Sequence, residues 1–180
     1  MLKIIFSRFI ILFLTCLIFT SCDNQKNNSS ASNTSAKTSF NTTDKSITSN
    51  GNLALAMEKI NQMDMNQVWN DAQPTTAEVL TKSPYSAIGK LYKIKGQLYK
   101  IEELPPNNNK GRWSEMLLLT DNPNSPLGVT TIDFIYNGDV SKIKSGQIIT
   151  CAGFFIGTFD SANAMGGKVE AVTMIGNNAR

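Results

Sequence analysis

The sequence predicts a mainly β fold: a small closed barrel of five strands, preceded by one or two helices and by a disordered N-terminal tether. Three observations predict it. Five apolar segments of strand length follow one another from residue 90 to residue 175, separated by breaks rich in Gly, Asn and Pro. Helical periodicity is confined to residues 50–82. Ahead of these, residues 23–50 are dominated by Ser, Thr and Asn, with Phe40 and Ile47 as the only large apolar side chains. Such a stretch buries too little surface to offset the entropy of ordering it.

Residues 1–8 carry Lys3 and Arg8, Phe9 to Phe19 is almost wholly apolar, and the small residues Thr20 and Ser21 precede Cys22. This is the three-part plan of a secretory signal. The apolar run spans about eleven residues, short of the ~20 that a bilayer-crossing helix needs. Phe19-Thr20-Ser21-Cys22 resembles the lipobox of bacterial lipoproteins, with Phe where Leu is usual. The resemblance implies that Cys22 receives a diacylglyceryl group and becomes the mature N-terminus. It also implies a membrane-anchored protein of the cell envelope, on the periplasmic side; Asp23 favours inner-membrane retention only under the enteric rule, so inner and outer membrane both stay open. The expected organisation is a signal peptide over 1–21, a lipid-anchored disordered linker over 22–50, a helical lead-in over 51–82 and the barrel over 83–180. As a flexible coil the linker reaches about 30 Å.

The lead-in predicts a helix from Asn50 to about Trp69, with Asn50 as N-cap and Leu53, Met57, Ile60 and Val68 along one apolar stripe. A second helix is expected over 75–82, between Pro74 and Ser83-Pro84. The first strand, Lys90 to Glu103, sets Tyr92, Ile94 and Leu98 on one face, with Gly96 expected in a bulge of positive φ. Trp113 to Asp121 and Val129 to Tyr136 follow, the latter pointing Ile132, Phe134 and Tyr136 inward. Asp139 to Gly146 is a short polar connector with room for one helical turn. Gln147 to Ile156 and Lys168 to Ile175 complete the set, with Val169, Ala171, Thr173 and Ile175 sharing a face.

A bent first strand and a short connector between the third and fourth fit a barrel of the OB type. The segments SAIGKLYKIKGQLYKI, KIKSGQIITCAGFF and GKVEAVTMIG resemble the tRNA-anticodon-binding-like OB-fold family, found in bacterial lipoproteins and secreted proteins. The resemblance covers residues 83–176 and rests on strand patterns and glycines. It implies a fold, and says nothing of tRNA binding.

The chain has no histidine, which removes the commonest general base, the Ser–His and Cys–His pairs and the commonest zinc ligand. Cys151 is the one thiol after Cys22 and sits in an apolar run, where it reads as a small buried hydrophobe. Glu102 and Glu103 are sequence neighbours on a strand and point to opposite faces. The loop Gly157 to Gly167 has neither the alternating acids of a calcium loop nor the Gly-Lys-Ser/Thr end of a phosphate loop. No catalytic residue, metal or cofactor is assigned, and a non-enzymatic module is expected.

The 17 basic and 14 acidic side chains give a formal charge of +3, and from Gly51 onward the count is 12 against 12. That neutrality lacks the surplus of a nucleic-acid binder and sets nucleic acid aside as an expected partner. OB ligands lie across the second and third strands between the loops that join strands one to two and four to five. This geometry nominates Lys110, Arg112 and Trp113 on one side, Tyr136 on the sheet, and Phe159, Asn163 and Lys168 by the other loop, as aromatics and cations suited to stacking. The expected function is a lipid-anchored module that binds an envelope protein; the alternative is an oligonucleotide or oligosaccharide on the barrel face. For the anchor, Cys22→Ser is expected to abolish lipid labelling and to leave the chain uncleaved or soluble. A lipid-modified, processed form of that variant would refute the lipobox assignment.

Overall fold

The computed structural model describes residues 38–105, 112–125, 128–162 and 168–180, with the backbone alone at 161, 162, 168 and 169. Among these residues five short helices come first: α1 (Ile47–Asn50), α2 (Asn52–Gln62), α3 (Met65–Asp71), α4 (Ala77–Lys82) and α5 (Pro84–Ala87). A two-residue strand, β1 (Gln73–Pro74), lies between α3 and α4. Then come β2 (Leu91–Glu103), β3 (Trp113–Asp121), β4 (Val129–Asn137), β5 (Ile148–Ala162) and β6 (Lys168–Ala179).

The strand order β1-β2-β3-β4-β6-β5 closes on itself because β2 also pairs with β5. Without β1, the five long strands form a closed barrel in which β4 and β6 run parallel and the other pairs antiparallel. This is the OB topology that the strand pattern predicts. β3 keeps the bounds expected for it. β5 runs on to Ala162, six residues beyond its expected end at Ile156, and β6 runs on to Ala179.

Inward residues alternate along each strand: Ile94 and Leu98, Met116 and Leu118, Ile132 and Phe134, Cys151 and Phe155, Val172 and Met174. All of these are almost fully buried. Burial pushes the Cys151 thiol far above its ordinary range, so it behaves as the buried hydrophobe expected of it. Ala77, Leu80, Ala87 and Ile88 of the α4–α5 region join the same core, as do the partly buried Val140 and Ile143 of the connector. The connector forms turns and no helix. A second apolar cluster lies outside the barrel wall, where Ala56, Ile60, Val68 and Ala72 pack on Trp113, Ala152, Phe154, Ile156 and Ile175.

The lead-in departs from the single helix expected over 50–69. It breaks at Met63, and Asp64 caps α3 by accepting hydrogen bonds from the Asn66 and Gln67 amides. Asn50 is not the N-cap of α2; that place falls to Gly51. Its side chain turns inward instead. Asn50 Nδ2 donates to the Ile156 carbonyl (2.9 Å), and Asn52 Nδ2 donates to the same carbonyl (3.3 Å) and to that of Asn41 (3.0 Å). The pairing of β5 with β6 slips between Phe155 and Gly157, and two buried amides satisfy the carbonyl at that slip.

Residues 38–50, expected as the end of a disordered linker, therefore belong to the folded unit. Phe40 packs on both apolar clusters, its ring centroid 5.3 Å from that of Phe154. Ser46 bridges to Thr158, and Lys45 pairs with Glu170 (2.5 Å). Two large apolar residues in thirteen suffice here because the asparagines supply specific polar anchors. The linker residues before 38, Cys22 included, lie outside the described residues.

Gly96 also corrects an expectation. It has no positive φ, and the irregularity in β2 falls between Leu98 and Lys100. The glycine is needed because β3 comes close: a Cβ at 96 would sit 3.0 Å from both Leu118 Cβ and the Leu119 carbonyl oxygen. Overpacking a buried site of this kind costs about 1–3 kcal/mol. Gly96→Val is expected to lower the melting temperature and Gly96→Ala to lower it less; a stabilised Val variant would show that β2 and β3 are not in close contact there.

Candidate functional site

Two stretches of barrel wall set polar side chains outward, the first largely half-buried and the second more open, while α2 and α3 cover the outside of β5, β6 and the end of β4. The first is the outward face of β3 and β4, with flanking residues of β2 and β6. The register sets Lys100, Leu117, Asp133 and Thr173 in one row, Glu102, Glu115, Ile135 and Ile175 in the next, and Gln97, Leu119 and Thr131 in a third. Apolar side chains and carboxylates alternate across it, and Lys100 is held by Glu102.

Asp133 is the unusual member of this wall. It is only 7% exposed, and its Oδ1 has no hydrogen-bond partner. Thr173, opposite it on β6, buries its Oγ1 without a partner as well. Burial first, and the negative charge of Glu115 second, push the Asp133 carboxyl up to about 7.

The second stretch is the outward face of β2 and β5. Lys93 lies opposite Ala152 and Lys95 opposite Thr150. Thr150 exchanges backbone hydrogen bonds with Arg180 (2.6 and 3.0 Å), which brings the C-terminal guanidinium to the same wall. Trp69 of α3 joins them, with Lys93 Nζ 4.9 Å and Arg180 Cζ 4.2 Å from its ring centroid. The salt bridges among the described residues engage Lys45, Lys82, Lys100 and Arg112. Lys93, Lys95 and Arg180 have none. Residues 51–180, neutral in sum, thus carry three cations without a salt bridge and a tryptophan on one wall, among the described residues.

The residues nominated from sequence do not converge. Lys110 and Asn163 lie outside the described residues, as does the side chain of Lys168. Arg112 is exposed and paired with Glu103 (3.1 Å). Trp113 is buried under the helices, its indole nitrogen without a partner. Tyr136, one residue before the register partner of Trp113, points to the other side of the wall, into the barrel, where burial raises its phenol. Phe159 is half-buried opposite Ala171. The ligand face expected between the two loops is thus not an aromatic and cationic one in its described part. The residues that sequence reading passed over, Lys93, Lys95, Arg180 and Trp69, are gathered by strand register and helix docking.

No protein-family model matches the chain and no curated protein matches it, so the tie to the tRNA-anticodon-binding-like family stays a resemblance. Among solved structures, the chain is similar to the SSB domain of a protein from Synechococcus sp., with 8% identity over 50% of this chain and 92% of that one, at a TM-score of 0.35. It is similar also to the mitochondrial single-stranded DNA binding protein Rim1 from S. cerevisiae, with 7% identity over 51% and 92%, at a TM-score of 0.35. At this level the likeness concerns the fold alone. The expectation that set nucleic acid aside is corrected: these two structures are single-stranded DNA-binding domains by name, and a balanced sum of charges is no ground for excluding that class.

The raised Asp133 pKa has a consequence for stability. Below about pH 4 both folded and unfolded states hold the proton; between there and pH 7 only the unfolded state releases it, so stability falls as pH rises. The full loss, a few kcal/mol at about 1.4 kcal/mol per unit, is reached above pH 7. Asp133→Asn is expected to flatten this slope and to raise stability at pH 8 relative to pH 5. Denaturant melts of both proteins at the two pH values check it, and parallel pH dependences would show that Asp133 ionises freely.

Proposed function

We propose that this protein is a non-enzymatic, lipid-anchored OB-type module of the cell envelope that binds single-stranded nucleic acid on the outward wall of β2 and β5. One observation carries the ligand: Lys93, Lys95 and Arg180, none of them in a salt bridge among the described residues, share a single wall, where Lys93 and Arg180 flank Trp69. Cations that track phosphates and an aromatic ring that offers a stacking surface are the two components of sequence-tolerant single-strand binding. The anchor rests on the lipobox-like Phe-Thr-Ser-Cys ending at Cys22.

A second reading, a protein partner, is favoured by the other wall. Half-buried Leu117, Leu119 and Ile135 stand there beside Glu115, a mixture suited to a partner with apolar and cationic side chains. On this reading the β3–β4 wall is the docking surface and the cations of β2 serve only solubility.

Fluorescence anisotropy with labelled oligo-deoxythymidine separates the two. Saturable binding at low salt is expected, weakening as salt rises because phosphate contacts release counterions. Lys93→Glu combined with Lys95→Glu is expected to weaken it by about tenfold or more, while Leu117→Lys leaves it unchanged. Absence of binding at low salt removes the nucleic-acid reading. Binding that the Leu117 variant alone impairs moves the ligand to the β3–β4 wall.

A further inference from the structure

We infer a second binding site, for the hydroxyl-bearing edge of a neutral sugar, in a hollow between the α2–α3 turn and the ends of β4 and β6. The hollow measures about 460 Å³, within the range of small-ligand sites. Ile60, Met63 and Met65 give it an apolar side, and Asn61, Asn137 and Asn177 a polar one. Met65 is 48% exposed, a large apolar side chain left open at the mouth.

The three amides define the ligand. Asn177 is 8% exposed, and its Nδ2 donates to the Met63 carbonyl (3.0 Å). A carbonyl only accepts, so this bond fixes the amide's orientation and turns Oδ1 away from it. Among the described residues that oxygen is buried without a partner, an acceptor that a ligand hydroxyl reaches only as the rim side chains give way. Asn137 Nδ2 donates to Asn61 Oδ1 (2.7 Å), which leaves Asn137 Oδ1 as a further acceptor and Asn61 Nδ2 as a donor at the rim. A vicinal diol supplies matching donors and acceptors, and the C–H face of a pyranose suits the methionines.

The lining is not built for an anionic ligand. Among the described residues the lining holds no cation, and its one charged member, Asp139, is committed to the Ser141 amide and hydroxyl (both 2.9 Å). These bonds hold its carboxyl below the usual range, so it stays negative. Phosphate oxygens would meet repulsion here. The inference therefore stands apart from the nucleic-acid reading, which uses a different wall.

The full chain, titrated with chitotriose, cellotriose and maltotriose and followed by saturation-transfer NMR, tests it. Saturable transfer to at least one trisaccharide at millimolar concentration is expected, with signal from its ring protons. Asn61→Ala combined with Asn137→Ala, both at the rim and away from the core, is expected to weaken it about tenfold with the melting temperature preserved. Binding of oligo-deoxythymidine to that variant should not change. The site is overturned if no trisaccharide saturates, if binding survives the double substitution, or if the substitution weakens the oligonucleotide instead.

Discussion

Strand β2 hydrogen-bonds β5 through residues 91–97 and β3 through residues 97–103, and closure of the barrel depends on that changeover at Gln97. A strand that serves two partners in succession must bend between them. The bend brings β2 close enough to β3 that a Cβ at Gly96 would press on Leu118 and the Leu119 carbonyl, and the slip after Leu98 follows directly. Once β2 has joined β5 to β3, the parallel pairing of β4 with β6 completes the ring. The inward alternation on every strand then becomes one core rather than two faces of a sheet.

The same closure decides where the lead-in docks. β5 is longer than its partner segment on β2, so past Phe155, which still bonds the backbone of Gly89 and Lys90, its edge is open to the lead-in. Segment 45–46 takes up part of that edge, and the Asn50 and Asn52 amides reach the Ile156 carbonyl. Leaving that carbonyl without its partners would cost about 1–3 kcal/mol, comparable to burying a large apolar side chain. The amides and Phe40 therefore place α2 and α3 over β5 and β6. Beyond them lie the half-buried β3–β4 wall and the more open β2–β5 wall, and these differ in chemistry because different side chains face outward on each.

The barrel was legible because alternation is a local signal. Ile132, Phe134 and Tyr136 on one side and Asp133 on the other can be read from five consecutive positions, and the Asp121-Asn122 break marks the end of β3 without reference to anything distant. The lead-in was not legible in the same way. Composition averaged over residues 23–50 describes a polar segment, and averaging hides the worth of Phe40 and Asn50, which with Asn52 act at one slip in a strand about a hundred residues later. Trp113 and Tyr136 misled for a related reason: they are brought close by the β3–β4 register but stand on opposite sides of the wall, and parity across a pair of strands appears only once the register is known.

Net charge illustrates the limit most clearly. A sum of 12 against 12 over the last 130 residues says nothing about which charges neutralise each other. In the fold, carboxylates sit beside Lys45, Lys82, Lys100 and Arg112, at positions set by local spacing or by neighbouring strands. The acids of the β3–β4 wall, Glu115 and Asp133, lie on a different face from Lys93 and Lys95. Arg180 reaches those lysines only because β5 carries the chain terminus alongside β2 through Thr150. Coulomb attraction to a polyanion is screened over about 8–10 Å at ordinary ionic strength, so a ligand on one wall responds to that wall rather than to the sum. Segregation of charge by strand parity is what gives an electrically neutral barrel two faces of opposite character.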